Sequence, residues 1–196
     1  MIKNKSPLHF TMKRKILAAA FFTMIGLMGT LNAQAPYKHS IGATVGNMQA
    51  ISYKTFVTDH FAIQVDLGTK ITYTEGDWNV RALHIYNLEL NPNLMYEGNF
   101  VAGLYGFAGG GVSLGYCWDI WHQHLFPYDH IHNIDLGKFG INAILGLEYK
   151  LNIPLTLQLD FRPGYGMLFG YDYYYMNNRV WNYFDWSVNA GVRYTF

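Results

Sequence analysis

The sequence predicts an all-β protein: an eight-stranded antiparallel up-and-down transmembrane β-barrel, preceded by a cleavable signal peptide. Three observations predict it. The 196-residue chain is 51% hydrophobic and 17% aromatic, yet only 14% charged, against about 25% in soluble globular chains. Its apolar residues recur with a period of two rather than 3.6. The segments that alternate in this way are joined by connections that are short and long in turn. So much aromatic and aliphatic surface excludes disorder, and the composition does not suit a helical enzyme. The division is 1–35 for the signal peptide and 36–196 for the barrel.

The leader comes first. Lys3, Lys5, Lys13, Arg14 and Lys15 are basic, and no acid precedes Asp59. An uncharged run from Ile16 to Leu31 follows, then Ala33-Gln34-Ala35, an A-x-A cleavage pattern. The run is shorter than the ~20 residues of a spanning helix. A second Met at position 12 is an alternative start, and Pro36 behind the cut allows the site to shift by a residue or two. The only cysteine is Cys117, so no lipid-anchoring cysteine follows the leader. Five of the 14 basic residues leave with the leader and none of the 13 acids, so 9 cations remain against 13 acids, a net of −4. That balance argues against nucleic acid as a partner. A lone cysteine makes no intramolecular bridge.

Eight alternating segments follow, at 39–47, 49–57, 61–74, 82–96, 100–116, 138–149, 155–169 and 183–196. In the last, Phe184, Trp186, Val188, Ala190, Val192, Tyr194 and Phe196 alternate with Asp185, Ser187, Asn189, Gly191, Arg193 and Thr195. The third segment sets Phe61, Ile63, Val65, Leu67, Ile71 and Tyr73 against Gln64, Asp66, Gly68, Lys70 and Thr72. Two segments are irregular. Pro92 donates no ladder hydrogen bond, so a bulge is expected there, and Gly109-Gly110-Gly111 breaks the phase, which suggests a bulge or a sharply coiled strand. Short connections lie at 58–60, 97–99 and 150–154, and long ones at 75–81, 117–137 and 170–182.

Alternation alone does not say which face is inside. The polar face is built from Gly, Ser, Thr, Asn and Gln, with charges of both signs: Lys54, Lys70, Arg162 and Arg193 against Asp66, Glu89, Glu148, Asp160 and Asp185. Small residues fit the filled interior of an eight-stranded barrel, and balanced charges suit an internal network. The apolar face ends in Tyr73, Tyr96, Tyr149, Phe169, Trp186, Tyr194 and Phe196, as an interfacial aromatic girdle would. The apolar face therefore points to lipid, where strands must close on one another because lipid offers no hydrogen-bond partner.

The alternation, the connection pattern and the C-terminal Val192-Arg193-Tyr194-Thr195-Phe196 together resemble the small eight-stranded outer-membrane barrels of the OmpA/OmpX type, and the porin-like outer membrane barrel family of Gram-negative bacteria in particular. The resemblance covers residues 38–196. It implies export through the periplasm to the cell outer membrane, with Tyr194 and Phe196 in a signal read by the barrel-assembly machinery.

Candidate chemistry concentrates in the connections. Between residues 117 and 137, His122, His124, His130 and His132 form two H-x-H pairs beside Asp119, Asp129 and Asp135. Such pairs offer imidazoles to Zn²⁺, Cu²⁺ or Ni²⁺, although no third-ligand spacing is diagnostic. The 170–182 connection carries Tyr171, Tyr173, Tyr174, Tyr175 and Trp181, which suit stacking on a ligand or an extended girdle. A lipid-modifying enzyme would need a Ser–His pair near the outer rim, for which His84 and Ser113 are the candidates. Solute transport meets a lumen filled by side chains, leaving a narrow leak or a lateral route for small apolar molecules. The expectation is a non-enzymatic scaffold without a cofactor, which meets an extracellular ligand or surface partner through the connections 117–137 and 170–182.

Overall fold

In the computed structural model, residues 35–74, 83–120, 136–172 and 177–196 are described. They form eight strands: β1 (His39–Gly46), β2 (Met48–Phe56), β3 (Phe61–Thr74), β4 (Leu83–Val101), β5 (Leu104–Ile120), β6 (Leu136–Lys150), β7 (Leu155–Asp172) and β8 (Asn177–Thr195). Each pairs antiparallel with its sequence neighbour, and β8 returns to β1, closing the barrel. Of the leader, residues 1–34 lie outside the described residues.

The period-two pattern decides the two faces. Outward and exposed are Leu67, Leu94, Ile141, Leu157, Leu159, Phe161, Trp186 and Val192, among others. Inward and buried are Lys54, Gln64, Asp66, Glu89, Asp160, Arg162 and Arg193. Fold and polarity are thus those of a barrel turned apolar side out, in which the closed ladder satisfies the backbone that lipid cannot.

The register corrects the expected bulges. No bulge occurs at Pro92 or at Gly109–Gly111: Leu90 pairs with Leu114, Asn93 with Gly111, Leu94 with Gly110 and Met95 with Gly109, in one unbroken register. The irregularities fall instead at the strand ends, between Ile85 and Asn87 and between Asn99 and Val101. Proline removes one donor but keeps an extended backbone. At Gly111 a Cβ would collide with the Pro92 carbonyl and sit 2.9 Å from Asn93 Cα, so glycine there permits close approach of the strands rather than a break.

The connections are shorter than 117–137 and 170–182. β5 continues to Ile120 and β6 starts at Leu136. The β7–β8 ladder runs past Gly170↔Arg179 to Asp172↔Asn177. Polar and glycine residues at the ends of long hairpins mask strands that no longer need a lipid-facing pattern. By contrast β1 and β2 are short, with 8 and 9 residues against 18 and 19 in β7 and β8. The wall is therefore much lower on one side than on the other.

Candidate functional site

The interior is layered. At the short-turn end, Phe56, Ala62, Met95, Phe107 and Ile144 form a buried apolar cluster, with Ala35 and Tyr37 packed on it. Tyr37 lies before β1 and folds back into the barrel mouth. Its ring meets Phe56 edge-on at 5.2 Å, and its hydroxyl donates to Glu148 Oε1 at 2.7 Å. Burial holds this phenol well above its ordinary pKa, so it remains a donor.

Next to that cluster, and partly nearer the short turns, sit the first charges. Lys54 pairs with Glu97 and, at 2.9 Å, with Glu148. Its ammonium also lies over the rings of Phe56 and Phe107, at 5.0 and 5.5 Å. Arg193 reaches Glu148 at 3.4 Å, Ser52 Oγ at 2.9 Å, and Gln158. Gly42, opposite Arg193 in the ladder, leaves room for its stem: a Cβ there would fall 2.8 Å from Arg193 Cγ.

In the middle layer Arg162 bridges two carboxylates, Asp66 at 2.6 Å and Asp160 at 2.7 Å. One cation faces two anions, and neutral amides supply the missing donors. Gln64 donates to both Asp66 oxygens at 3.0 and 2.9 Å. Gln158 and Asn189 donate to Asp160 at 2.7 and 3.0 Å. Beside this layer Ser113, Asn91, Asn93 and Asn142 form a polar chain across β4, β5 and β6.

The upper charged layer contains Lys70, Lys138, Glu89 and Asp185. Lys138 bonds Glu89 and, at 3.1 Å, Asp185, while Lys70 reaches Asp185 at 2.9 Å. Beyond it, toward the long connections, lies a second buried apolar cluster: Cys117, Leu136, Leu168 and Tyr183.

All nine charges picked out in the sequence, Lys54, Asp66, Lys70, Glu89, Glu148, Asp160, Arg162, Asp185 and Arg193, are therefore buried in the lumen. Two more join them, Glu97 and Lys138. The sequence places Glu97 in a short turn, yet β4 extends to Val101 and carries it inward. Lys138 shares the parity of Asn142 and Glu148, which is the signal that finds it. The two apolar clusters also depart from a wholly polar interior.

His122, His124, His130 and His132 lie outside the described residues. So do Asp129, Asp135 and most of the 117–137 connection. Ser113 faces the lumen, and its hydroxyl is engaged with Asn91 at 2.5 Å and Asn142 at 3.2 Å. The side chain of His84 is outside the described set. Tyr194 and Phe196, 52% and 60% exposed, stand on the outer wall at the short-turn end. There His60 stacks on Tyr96, and Phe61 meets Tyr96 edge-on, both at 5.4 Å.

An apolar outer wall ringed with aromatics, around a lumen that holds every buried ion pair described, defines a membrane-spanning β-barrel. Known structures share the architecture. The chain is similar to the N-terminal β-barrel domain of Pseudomonas aeruginosa OprF, at 15% identity, with 84% of this chain and 100% of that one covered and a TM-score of 0.50. It also matches a major outer membrane protein from Thermus thermophilus, at 12% identity, covering 81% of this chain and 98% of that chain, with a TM-score of 0.47. With the closed eight-stranded ladder and the OprF domain's likeness, the fold is that of the small eight-stranded outer-membrane barrels. No protein-family model and no curated protein matches the chain.

Proposed function

We propose that this protein is a non-enzymatic scaffold of the Gram-negative cell outer membrane, exported through the periplasm, which displays the connections between β5 and β6 and between β7 and β8 to a surface partner. One observation carries this reading: among the described residues, ion pairs and two apolar clusters occupy the lumen, while the outer wall is apolar. A lumen so filled supports a closed barrel over a diffusion pore, and the engaged Ser113 hydroxyl favours a polar filler over a nucleophile. Tyr194 and Phe196 belong, in this reading, to the segment met by the assembly machinery. Membrane fractionation with heat-modifiable gel migration tests the location. Capture of a surface ligand by the intact barrel, lost on shortening residues 121–135, tests display. A mature chain that stays in solution without detergent would refute the proposal.

A further inference from the structure

One buried oxygen in the lower charged layer has no donor. Glu97 is 1% exposed, and its Oε1 lacks a hydrogen-bond partner among the described residues. Its other oxygen bonds Lys54, but that ammonium is shared with Glu148 at 2.9 Å. The second cation of the layer, Arg193, directs its donors to Glu148, Ser52 and Gln158. Across the described lumen, five buried cations meet six buried carboxylates. A buried carboxylate oxygen without a donor is destabilising, and a further N–H beside it would remove that cost.

The segment before β1 brings the chain to this oxygen. Ala35 and Tyr37 pack on the cluster that contains Met95 and Phe107. Phe107 is the ladder partner of Glu97, and Met95 precedes Glu97 by two residues, so all three share the inward face. Tyr37 also meets the ammonium that Glu97 binds, with Lys54 Nζ 5.6 Å from its ring centre. A hydrogen bond from Phe56 N to Lys38 O, at 3.0 Å, ties the segment down. The nitrogen of Pro36 lies between the two packed residues. Within the Ala35–Pro36 peptide it is a tertiary amide and carries no hydrogen. Hydrolysis of that bond changes it: one water is consumed, Ala35 leaves with the leader as a carboxylate, and Pro36 N becomes a secondary ammonium with two N–H donors. We propose that the α-ammonium freed by removal of the leader is the missing partner of Glu97, so that processing by the leader peptidase completes the lower charged layer. This pairing presupposes export and the cut between Ala35 and Pro36 that the A-x-A pattern indicates. Six cations then face six carboxylates, and the leader-bearing chain lacks the pair.

Intact mass of the barrel purified from outer membranes gives the N-terminus, and a start other than Pro36 overturns the pairing by overturning the cut. With Pro36 first, the folded barrel is treated with an amine-acetylating reagent, and acetylation of residue 36 is followed by peptide mass spectrometry. The expected result is acetylation several-fold slower than in the urea-unfolded chain. Glu97→Gln should lose this protection, whereas Asp59→Asn, at an acid exposed in the neighbouring turn, should keep it. Urea midpoints in lipid vesicles give a second measurement. A Gly-Ser-Gly extension ahead of Pro36 carries the ammonium away; it should lower the midpoint of the native sequence and leave that of Glu97→Gln unchanged. Should Glu97→Gln lose heat-modifiable migration, the extended and unextended native chains decide, and equal midpoints overturn the pairing. Unprotected Pro36, protection indifferent to Glu97→Gln, or an extension that acts equally with and without Glu97 also overturns it, while leaving the cut intact.

Discussion

Arg162→Ala is the most informative perturbation of the lumen. The guanidinium is the only cation in the middle layer among the described residues, held between Asp66 and Asp160. Its removal leaves two buried carboxylates with amide donors alone: Gln64 for Asp66, Gln158 and Asn189 for Asp160. Breaking a buried pair from one side costs about 3–5 kcal/mol, because the remaining charge stays desolvated. With a urea slope of about 2 kcal/mol per molar, the unfolding midpoint of the barrel in lipid vesicles should fall by about 1.5–2.5 M. The triple variant Arg162→Met, Asp66→Asn, Asp160→Asn removes all three charges together and should recover most of that loss. Tryptophan fluorescence follows the transition. An unchanged midpoint in Arg162→Ala would refute a structural role for the network. A triple variant no better than the single one would show that shape rather than charge is what matters in this layer.

Other outcomes follow from the same geometry. Leu159→Arg places a cation on the lipid-facing wall and should cost about 2–4 kcal/mol near the bilayer midplane, read as a lower urea midpoint in vesicles; no shift would contradict the outward face. Tyr37→Phe removes the hydroxyl donated to Glu148 and should cost about 1.5 kcal/mol, as for a hydrogen bond to a charged group, read as a lower urea midpoint in vesicles. Ser113→Ala should leave lipid A mass unchanged on expression; a change would mark an enzyme. Zn²⁺ titration should shift the resonances of His122, His124, His130 and His132 if their connection captures metal, and the quadruple Ala variant should abolish the shift.

The architecture is legible in the sequence because a barrel in lipid must alternate, and little else competes with that signal. Leu157 and Val188 face outward and Arg193 inward by parity alone. Strand ends are less legible, because beyond the lipid belt the outward positions need not be apolar. Asp172 and Asn177 therefore read as loop although they pair in the ladder. Glu97 is hidden in the same way, by a neighbouring glycine and asparagine that suggest a turn. Ile144 and Phe107 escape for the opposite reason: an inward apolar residue breaks the alternation, and only the closed barrel shows what it packs on. The depth of the layers is not legible at all, because it depends on the stagger between strands rather than on any one strand.

That stagger gives the lumen its electrostatic logic. Five cations and six carboxylates are buried among the described residues, and they are not spread evenly. The lower and upper layers each balance two against two. The middle layer carries one excess carboxylate, and it is there that the side-chain amides of Gln64, Gln158 and Asn189 gather. One apolar cluster caps this stack toward the long connections, and the other, with Tyr37, packs among the lower charges near the short turns. Excluding water from the ends lowers the local dielectric, which strengthens each pair but raises the cost of any unpaired member. The caps and the charges are therefore coupled. Damage to the Tyr37 plug should weaken the penalty of Arg162→Ala, because water reaching the carboxylates would solvate what the guanidinium no longer does. A double-mutant cycle of Tyr37→Ala and Arg162→Ala measures that coupling. Strict additivity would mean that the cap and the charges stabilise the barrel independently.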